Sequence, residues 1–334
     1  MHELSLSLNM DNSNPGVNQN LQSLEELRIV FMGTPEFAVA SLDALVKAQC
    51  NIVGVITAPD KPGGRGMQLQ QSDVKKYAAE NNLNVFQPEK LKDPQFLEQM
   101  KSLKADLQVV VAFRMLPEIL WNMPPMGTIN LHGSLLPQYR GAAPINWAVI
   151  NGEKETGVTT FKLQHQIDTG DILLQDRFAI MENDTAGDVH DRMKEIGATL
   201  LVKTVRQIAA GNLQEIPQSL IVNNESVIRH APKIFTETCQ VNFAKSTVEV
   251  FNFLRGLSPY PAAFTFLQGK KLKIYAADKI NKVPTILPGE YETDGKTFLS
   301  FACADGYINI VDLQLEGKKR MNIKDFLRGY RFEK

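Results

Sequence analysis

The amino-acid sequence predicts an α/β protein with two domains, namely a mostly parallel sheet with helices on both faces and a small C-terminal β-barrel. Three observations lead to this prediction. The chain has 334 residues, which is long for a single hydrophobic core. Apolar strands alternate with amphipathic helices up to Gly211, as in right-handed βαβ units. After about Lys233 short strands separated by glycines follow, a pattern typical of a small barrel.

The N-terminal domain is predicted to span residues 27–211, and each of its elements follows from a local pattern. β-Branched and other apolar residues indicate strands, and apolar residues at helical spacing indicate helices. Ser72 and Asp93 stand where helix N-caps belong, and Pro94 suits the first helical position. The predicted strands are 28–32, 51–57, 84–86, 107–112, 128–131, 158–163 and 172–178, and the predicted helices are 37–48, 72–82, 94–101, 142–151 and 186–210. Together they make a Rossmann-like sheet, whose ligands bind beyond the carboxyl ends of the strands.

Three further segments complete the predicted organisation. Residues 1–26 are rich in Asn, Ser, Leu and Gln and lack the basic and apolar stretches of a secretory signal, so we expect a disordered extension without a catalytic role. Residues 212–230 contain Pro217 and no helical periodicity, which indicates a linker. Residues 231–334 form the C-terminal domain, with a predicted helix at 246–257 and predicted strands at 263–267, 271–277, 297–302 and 307–314.

Composition and charge narrow the class of protein. Hydrophobic residues make up 43% and charged residues 22% of the chain, as in ordinary globular proteins, and no apolar run reaches the ~18 residues of a membrane span. Cys50, Cys239 and Cys303 lack disulfide or metal-site spacing, so we expect free thiols in the cytoplasm and no metal. The net charge is −1, yet residues 231–334 hold 16 basic and 11 acidic side chains, which permits a phosphate-facing surface there.

The strongest functional signal joins Asn130 and His132, at the end of a predicted strand, to Asp168, which follows the histidine by 36 positions. Alternation along the strand puts the amide and the imidazole on one face, and 36 positions allow a helix and a return strand that bring the carboxylate back. An amide N–H can stabilise an oxyanion, an imidazole can hold or pass a proton near neutral pH, and a carboxylate can orient the imidazole or accept a proton from an amine. The three groups suit acyl transfer at a carbonyl.

Two other motifs give weaker signals. Gly33-Thr34-Pro35 follows the first strand but lacks the GxGxxG pattern of a dinucleotide site, and the chain has no Walker sequence. Asp168-Thr169-Gly170 does not indicate an aspartic protease, because that chemistry needs a second such carboxylate to share the proton. Neither motif predicts a further cofactor.

Five segments together resemble the folate-dependent formyltransferases, and among them those that act on tRNA. They are 29–38 (IVFMGTPEFA), 130–137 (NLHGSLLP), 140–144 (RGAAP), 155–159 (ETGVT) and 168–171 (DTGD). The resemblance extends from about residue 27 to the C-terminus. It implies an OB-like C-terminal barrel and, as the reaction, transfer of the formyl group of 10-formyltetrahydrofolate to the α-amine of methionine on initiator tRNA, without a metal.

The resemblance also implies roles for individual residues. Asn130 and His132 would stabilise the tetrahedral oxyanion, and Asp168, through water, would take the proton of the attacking nitrogen and help deliver it to the departing folate nitrogen. Folate contacts are expected from Phe113, Arg114, Met115, Leu116, Ser134, Leu135, Leu136, Pro137 and Ile167. The chain departs from the family pattern at Phe113-Arg114, where many relatives have Tyr-Gly, so that Arg114 would contact either the folate tail or solvent.

Contacts to tRNA are expected on two surfaces. The glycine-rich loop 58–67 resembles the arm that grips the acceptor end of tRNA, with Arg65 and, in support, Lys61 on the phosphates. In the C-terminal domain the basic cluster Lys318, Lys319 and Arg320 is a further candidate. Binding through such contacts to the RNA backbone weakens steeply with salt.

Two alternatives stay open from the sequence. One is a formyltransferase or formyl-folate hydrolase that acts on a purine precursor or a nucleotide sugar, although such families mostly lack the basic C-terminal domain. The other is a non-catalytic RNA-binding protein, which would not need Asn130, His132 and Asp168 together. We expect the reaction that the resemblance implies, formylation of methionine on initiator tRNA, by a monomeric enzyme that does not bind a membrane.

Overall fold

The computed structural model describes residues 23–63, 68–221 and 227–332. Within these ranges no helix combines the length and the apolar character that crossing a membrane requires. The elements of the N-terminal domain are, in chain order, β1 (Arg28–Gly33), α1 (Glu36–Lys47), β2 (Asn51–Ile56), β3 (Lys61–Gly63), β4 (Gln68–Gln70), α2 (Asp73–Glu80), β5 (Val85–Phe86), α3 (Pro94–Ser102), β6 (Leu107–Val111), α4 (Glu118–Trp121), β7 (Thr128–His132), β8 (Arg140–Gly141), α5 (Pro144–Ile150), β9 (Glu155–Lys162), β10 (Ile172–Ala179) and α6 (Ala186–Ala209).

The central sheet has the strand order β10-β9-β7-β6-β1-β2-β5. Strands β7, β6, β1, β2 and β5 are parallel, whereas β9 runs antiparallel to both β7 and β10. The predicted mostly parallel sheet is therefore confirmed, with an antiparallel edge in addition. Sequence patterns did not reveal this edge, because the apolar pattern of a strand does not encode its direction.

Alternate side chains of β1 serve two hydrophobic cores, one on each face of the sheet. Ile29 and Phe31 lie in the core that α1 and α6 cover, whereas Val30 and Met32 lie in the opposite core with α3. All four side chains are fully buried. Burial on both faces explains why this strand is an unbroken apolar run, and it confirms the predicted helices on both sides.

Helix ends in this domain follow the predicted capping chemistry. The Ser72 hydroxyl accepts a hydrogen bond from the backbone N–H of Lys75 and begins α2. The Asp93 carboxylate accepts from two N–H groups of α3, and Pro94 is its first residue. These caps satisfy N–H groups that have no partner within the helix, so the helix starts could be placed from the sequence.

The C-terminal domain contains an antiparallel sheet that curls into a half-barrel. Its strand order is β12-β13-β16-β15-β14, and β17 pairs with β16 at Asp312 and Leu313, beyond the residues of β16 that pair with β15. The linker ends in β11 (His230–Ala231), and the elements that follow are α7 (Thr247–Gly256), β12 (Ala263–Leu267), β13 (Lys270–Ile280), β14 (Tyr291–Thr293), β15 (Leu299–Ala302), β16 (Tyr307–Leu315), β17 (Met321–Asn322) and α8 (Ile323–Gly329). The half-barrel agrees with the predicted OB-like domain, whereas the short elements β14, β17 and α8 were not predicted.

The two domains meet where α5 packs on α7. The Asn146 side chain donates a hydrogen bond of 2.8 Å to the carbonyl oxygen of Gly256. A Cβ atom at Gly256 would lie 2.5 Å from the Ile150 side chain and 2.8 Å from its backbone nitrogen, so this contact needs glycine. Nearby, the buried Arg255 guanidinium donates a bond of 2.9 Å to the carbonyl oxygen of Asp184.

Three segments differ from the sequence prediction or lie partly outside the described residues. Strands β3 and β4 pair as a hairpin where only a flexible loop was expected; residues 64–67 between them, with the candidate Arg65, lie outside the described residues. Leu24, which precedes the predicted boundary at residue 27, packs against the core, and its carbonyl accepts from the Asn51 N–H; residues 1–22 lie outside the description. The linker is attached to the N-terminal domain, since β11 pairs with β8.

Candidate active site

Strand β7 brings Asn130 and His132 onto one face of the central sheet, since side chains two residues apart on a strand point the same way. The register places His132 opposite Thr159 of β9 and Asn130 opposite Phe161. His132 is buried, whereas Asn130 is half-buried. Within the described part of the chain the Asn130 side chain has no hydrogen bond, so its amide is available to a bound molecule.

The His132 imidazole is fixed through its Nε2 atom, which lies 2.9 Å from the carbonyl oxygen of Tyr139. A carbonyl oxygen only accepts, so Nε2 donates its proton, and in the neutral ring Nδ1 carries none. Burial lowers the pKa of His132, against the opposing effects of the Asp168 carboxylate and the bond to Tyr139. The resting imidazole is therefore neutral near pH 7, with the lone pair of Nδ1 towards Asp168.

Asp168 lies in the loop between β9 and β10. Its Oδ2 atom is 3.9 Å from Nδ1 of His132 and accepts a hydrogen bond of 2.9 Å from the N–H of Gly141. Helix α5 and strand β9 separate the histidine from the aspartate, as the spacing predicts. The backbone φ of Asp168 is 54°, a left-handed conformation that is uncommon for residues other than glycine and is often found at functional sites.

Several residues that hold this pair in place were not singled out from the sequence. Tyr139 and Gly141 act through backbone groups, and at Gly141 a Cβ atom would lie 2.4 Å from the carbonyl oxygen of Ala231. The buried Gln218, from the linker, bonds to the Asp168 loop and to Arg140. Gly141 belongs to the segment RGAAP, which is part of the family resemblance, so the sequence did point to this position. For Gln218, the sequence shows only a glutamine after a proline.

The candidate folate residues divide into exposed and buried side chains. Met115 is 76% exposed and Ile167 is 61% exposed, so both can cover an apolar ligand. Ser134 is buried and its hydroxyl donates a bond of 2.6 Å to the carbonyl oxygen of Gln138, and Leu136 is buried against Phe161. These two side chains shape the loop after β7. Among the remaining candidates, the half-buried side chains are Phe113, Leu116 and Leu135, and the buried one is Pro137.

The Arg114 guanidinium, which was expected to contact either the folate tail or solvent, binds other residues of the chain. Its Nη1 atom donates a bond of 2.9 Å to the carbonyl oxygen of Glu89, and Nη2 donates to the carbonyl oxygen of Pro88. The guanidinium also lies over the Phe113 ring at 5.6 Å from the centroid. Arg114 thus ties the loop after β6 to the segment after β5.

The candidate tRNA residues are exposed, but they are not equally free. Lys61 is exposed at the start of β3, and Lys318 and Lys319 are exposed after β16. Arg320 donates two hydrogen bonds, of 2.8 and 2.6 Å, to one carboxylate oxygen of Asp312. The guanidinium of Arg320 is thus partly neutralised within the chain, whereas the two lysines present their charge to solvent.

The described residues include no candidate metal site and no reactive thiol. Within them, no group of three or more His, Cys, Asp or Glu side chains could hold a metal ion. The three cysteines are buried and free. Burial raises the pKa of each thiol, for Cys303 to about 11, so at neutral pH these side chains are unreactive thiols.

Both domains resemble those of known proteins. The family descriptions "Formyl transferase" and "Formyl transferase, C-terminal domain" match residues 27–205 and 233–331. The chain is 53% identical over 312 residues to a methionyl-tRNA formyltransferase of Bacteroides fragilis, covering 92% of this chain and 96% of the relative. It is 54% identical over 313 residues to a methionyl-tRNA formyltransferase of Parabacteroides distasonis, covering 92% and 97%.

A solved structure shares the fold at lower sequence identity. It is an N-formyltransferase from Helicobacter canadensis in complex with folinic acid and dTDP-3-aminofucose, with a TM-score of 0.64 and 24% identity. The match covers 88% of this chain and 99% of that structure. The similarity therefore extends over both domains and not only over the central sheet.

Proposed function

The chain belongs to the formyl transferase family, among the methionyl-tRNA formyltransferases, and we propose that it transfers the formyl group of 10-formyltetrahydrofolate to the α-amine of methionine on initiator tRNA. The observation that carries this proposal is the pairing of Asp168 Oδ2 with Nδ1 of a neutral His132, 3.9 Å apart, beside the available amide of Asn130. Acyl transfer to an amine needs these two capacities, an acceptor for the amine proton and a donor for the oxyanion.

The first step is attack of the neutral amine on the formyl carbon, which forms a tetrahedral intermediate with a negative oxygen. The half-buried Asn130 amide donates to that oxygen. Because the donor is already on a rigid strand, little reorganisation is needed when the charge develops. Holding amine and formyl carbon together then supplies a large part of the remaining acceleration.

The proton of the attacking nitrogen passes to the pair formed by His132 and Asp168. Nε2 of His132 is occupied by the carbonyl of Tyr139, so Nδ1 and the carboxylate are the acceptors that face the reacting atoms. Once protonated, the pair donates to the oxyanion together with Asn130. The carbon–nitrogen bond to folate then breaks, and the proton moves to the departing folate nitrogen, so that the pair returns to its initial state.

We propose that the formyl donor packs against exposed apolar side chains on the loops that follow β6 and β9. Ile167, next to the catalytic aspartate in the chain, and Met115, on the loop after β6, are large and mostly exposed. The flat pterin ring would remove them from water. We propose that the half-buried Phe113 packs beside the ring, while the buried Ser134 and Leu136 keep the loop after β7 in shape.

The tRNA substrate is proposed to span both domains. Lys61 on the β3–β4 hairpin and Arg65, four residues later in the chain, would reach the acceptor end, while Lys318 and Lys319 would contact the RNA backbone from the half-barrel. Salt-sensitive binding is the expected signature. We also propose that the enzyme is a monomer that acts in the cytoplasm, where its three free thiols stay reduced; sedimentation of the purified chain tests the monomer.

The decisive experiment is incubation with 10-formyltetrahydrofolate and methionyl initiator tRNA, with mass-spectrometric detection of N-formylmethionine. Formation of this product, and its loss in Asp168→Asn, supports reaction and site together. The matched control is Asp171→Asn in the same loop, which should retain activity. Formylation of an amino sugar nucleotide or a purine precursor instead of the tRNA would replace this proposal by the first alternative, and RNA binding without any product would replace it by the second.

A further inference from the structure

The linker between the two domains contacts the backbone groups that hold His132 and Asp168 in place. Building on the proposed function, we propose that this linker is part of the catalytic centre and that Gln218 is a positioning residue for Asp168. Gln218 touches no reacting atom, and its effect on the reaction passes through the aspartate. The inference rests on two anchor points of the linker, Gln218 and residues 229–231.

The first anchor is the Gln218 side chain, which is buried although its neighbours in the linker are exposed. Its Oε1 atom accepts bonds of 3.1 and 2.6 Å from the guanidinium of Arg140. Its Nε2 atom donates bonds of 2.9 and 2.8 Å to the carbonyl oxygens of Asp168 and Gly170. Both donor hydrogens are used, so the amide is fixed in one orientation.

These bonds lie where the catalytic loop needs support. Asp168 has a backbone φ of 54°, and an aspartate keeps such a conformation only where the surrounding structure holds it. Gln218 binds the carbonyl of this same residue and that of Gly170, and so fixes the peptide planes on the C-terminal side of the aspartate. The carboxylate itself is held by the Gly141 N–H, next to the Arg140 that Gln218 also binds.

The second anchor is β11, which pairs with β8 in parallel. Just before this pairing, the Tyr139 N–H donates a bond of 2.6 Å to the carbonyl oxygen of Arg229. Tyr139 is the residue whose own carbonyl binds Nε2 of His132, and Gly141 of β8 is the residue whose N–H binds Asp168. The linker therefore supports both orienting groups, one for the imidazole and one for the carboxylate.

Two alternatives to a positioning role are a purely structural role and none at all. Replacement of a purely structural glutamine would lower stability, and it would lower the rate by the same factor whether or not the Asp168 carboxylate is present. A positioning glutamine lowers kcat through Asp168 and loses its effect once that carboxylate is absent. This difference makes a double-mutant cycle the informative measurement.

The test compares the full chain with Gln218→Met, which keeps the length of the side chain but removes its hydrogen bonds. A displacement of the aspartate by about 1 Å lowers kcat on the order of 10²-fold, while KM for both substrates should stay within about threefold. In the Asp168→Asn background the same substitution should leave the residual single-turnover rate unchanged. Gln214→Met, at an exposed position of the same linker, is the matched control and should keep wild-type kinetics.

If Gln218→Met does not fold, Gln218→Glu carries the same test, because it keeps an acceptor for Arg140 but cannot donate to the two carbonyl groups. Wild-type kcat in the variant that folds overturns the inference, and so does an equal loss of rate in the Asp168→Asn background. If the wild-type chain formylates no methionyl-tRNA, the proposed function fails instead, and that result is distinct from either outcome.

Discussion

Gly170→Ala is the substitution that most directly tests the geometry of the catalytic loop. A Cβ atom at this position would lie 1.6 Å from the carbonyl oxygen of Lys162 and 2.8 Å from its carbonyl carbon. Real Cβ atoms essentially never approach a heavy atom closer than 3.0 Å, so the loop must move by about 1.4 Å. The obstacle is backbone of β9 and cannot rotate away. Because Asp168 lies two residues before Gly170, the shift reaches the carboxylate.

The expected result is a loss of turnover in a folded protein. Displacement by about 1 Å lowers kcat on the order of 10²-fold, whereas overpacking of this kind costs about 1–3 kcal/mol, which a domain of ordinary stability tolerates. Steady-state formylation of methionyl-tRNA and thermal unfolding measure the two effects. Gly329→Ala, where a Cβ atom meets nothing within 4 Å, is the control. A kcat for Gly170→Ala within threefold of wild type would refute the argument that the loop position sets the rate.

Three further variants probe other parts of the structure. Burial lowers the pKa of His132, so below pH 6.5 the unfolded chain binds a proton that the folded chain does not. The free energy of unfolding therefore falls as the pH decreases, by at most about 1.4 kcal/mol per pH unit. His132→Gln removes this group, so urea-unfolding midpoints measured between pH 6.5 and 5 should depend less on pH. The double variant Lys318→Ala/Lys319→Ala should raise KM for tRNA and leave KM for the formyl donor unchanged. The slope of log KM for tRNA against log salt concentration should fall by roughly one per lysine. An unaltered slope would show that neither lysine contacts the RNA backbone. Arg255→Ala leaves the partly buried Asp184 carbonyl without this donor and should cost about 1–3 kcal/mol, measured by denaturant unfolding; an unchanged midpoint would show that this domain contact carries little energy.

Much of the fold could be predicted because its determinants are local. Apolar runs that are buried on both faces mark the parallel strands, and polar residues such as Ser72 and Asp93 mark helix starts by satisfying free N–H groups. The proximity of His132 and Asp168 was also predictable, since a strand, a short helix and a return strand leave few other arrangements. Their orientation was not, because it depends on the carbonyl of Tyr139 and the N–H of Gly141, backbone groups that any residue type possesses.

The parts that could not be predicted depend on contacts between distant segments. Arg114 has the charge and length to reach a folate tail, yet it binds two backbone carbonyl groups after β5. Gln218 stands among exposed linker residues, and only the folded chain shows that its amide is buried against the Asp168 loop. In both cases the residue type is compatible with several environments, and the choice is made by a segment far away in the sequence.

The orientation of the catalytic pair through backbone groups has a consequence for how the two domains are related. Side chains at Tyr139 and Gly141 do not supply the bonds that hold His132 and Asp168, so the geometry depends on the path of the main chain along β8. That path is fixed by pairing with β11, and at Gly141 a Cβ atom would meet the carbonyl of Ala231 at 2.4 Å. β11 lies where the linker meets the C-terminal domain, and its Ala231 is buried in the core of the N-terminal domain. The geometry of the catalytic site therefore depends on main chain of the linker, which leads directly into the half-barrel.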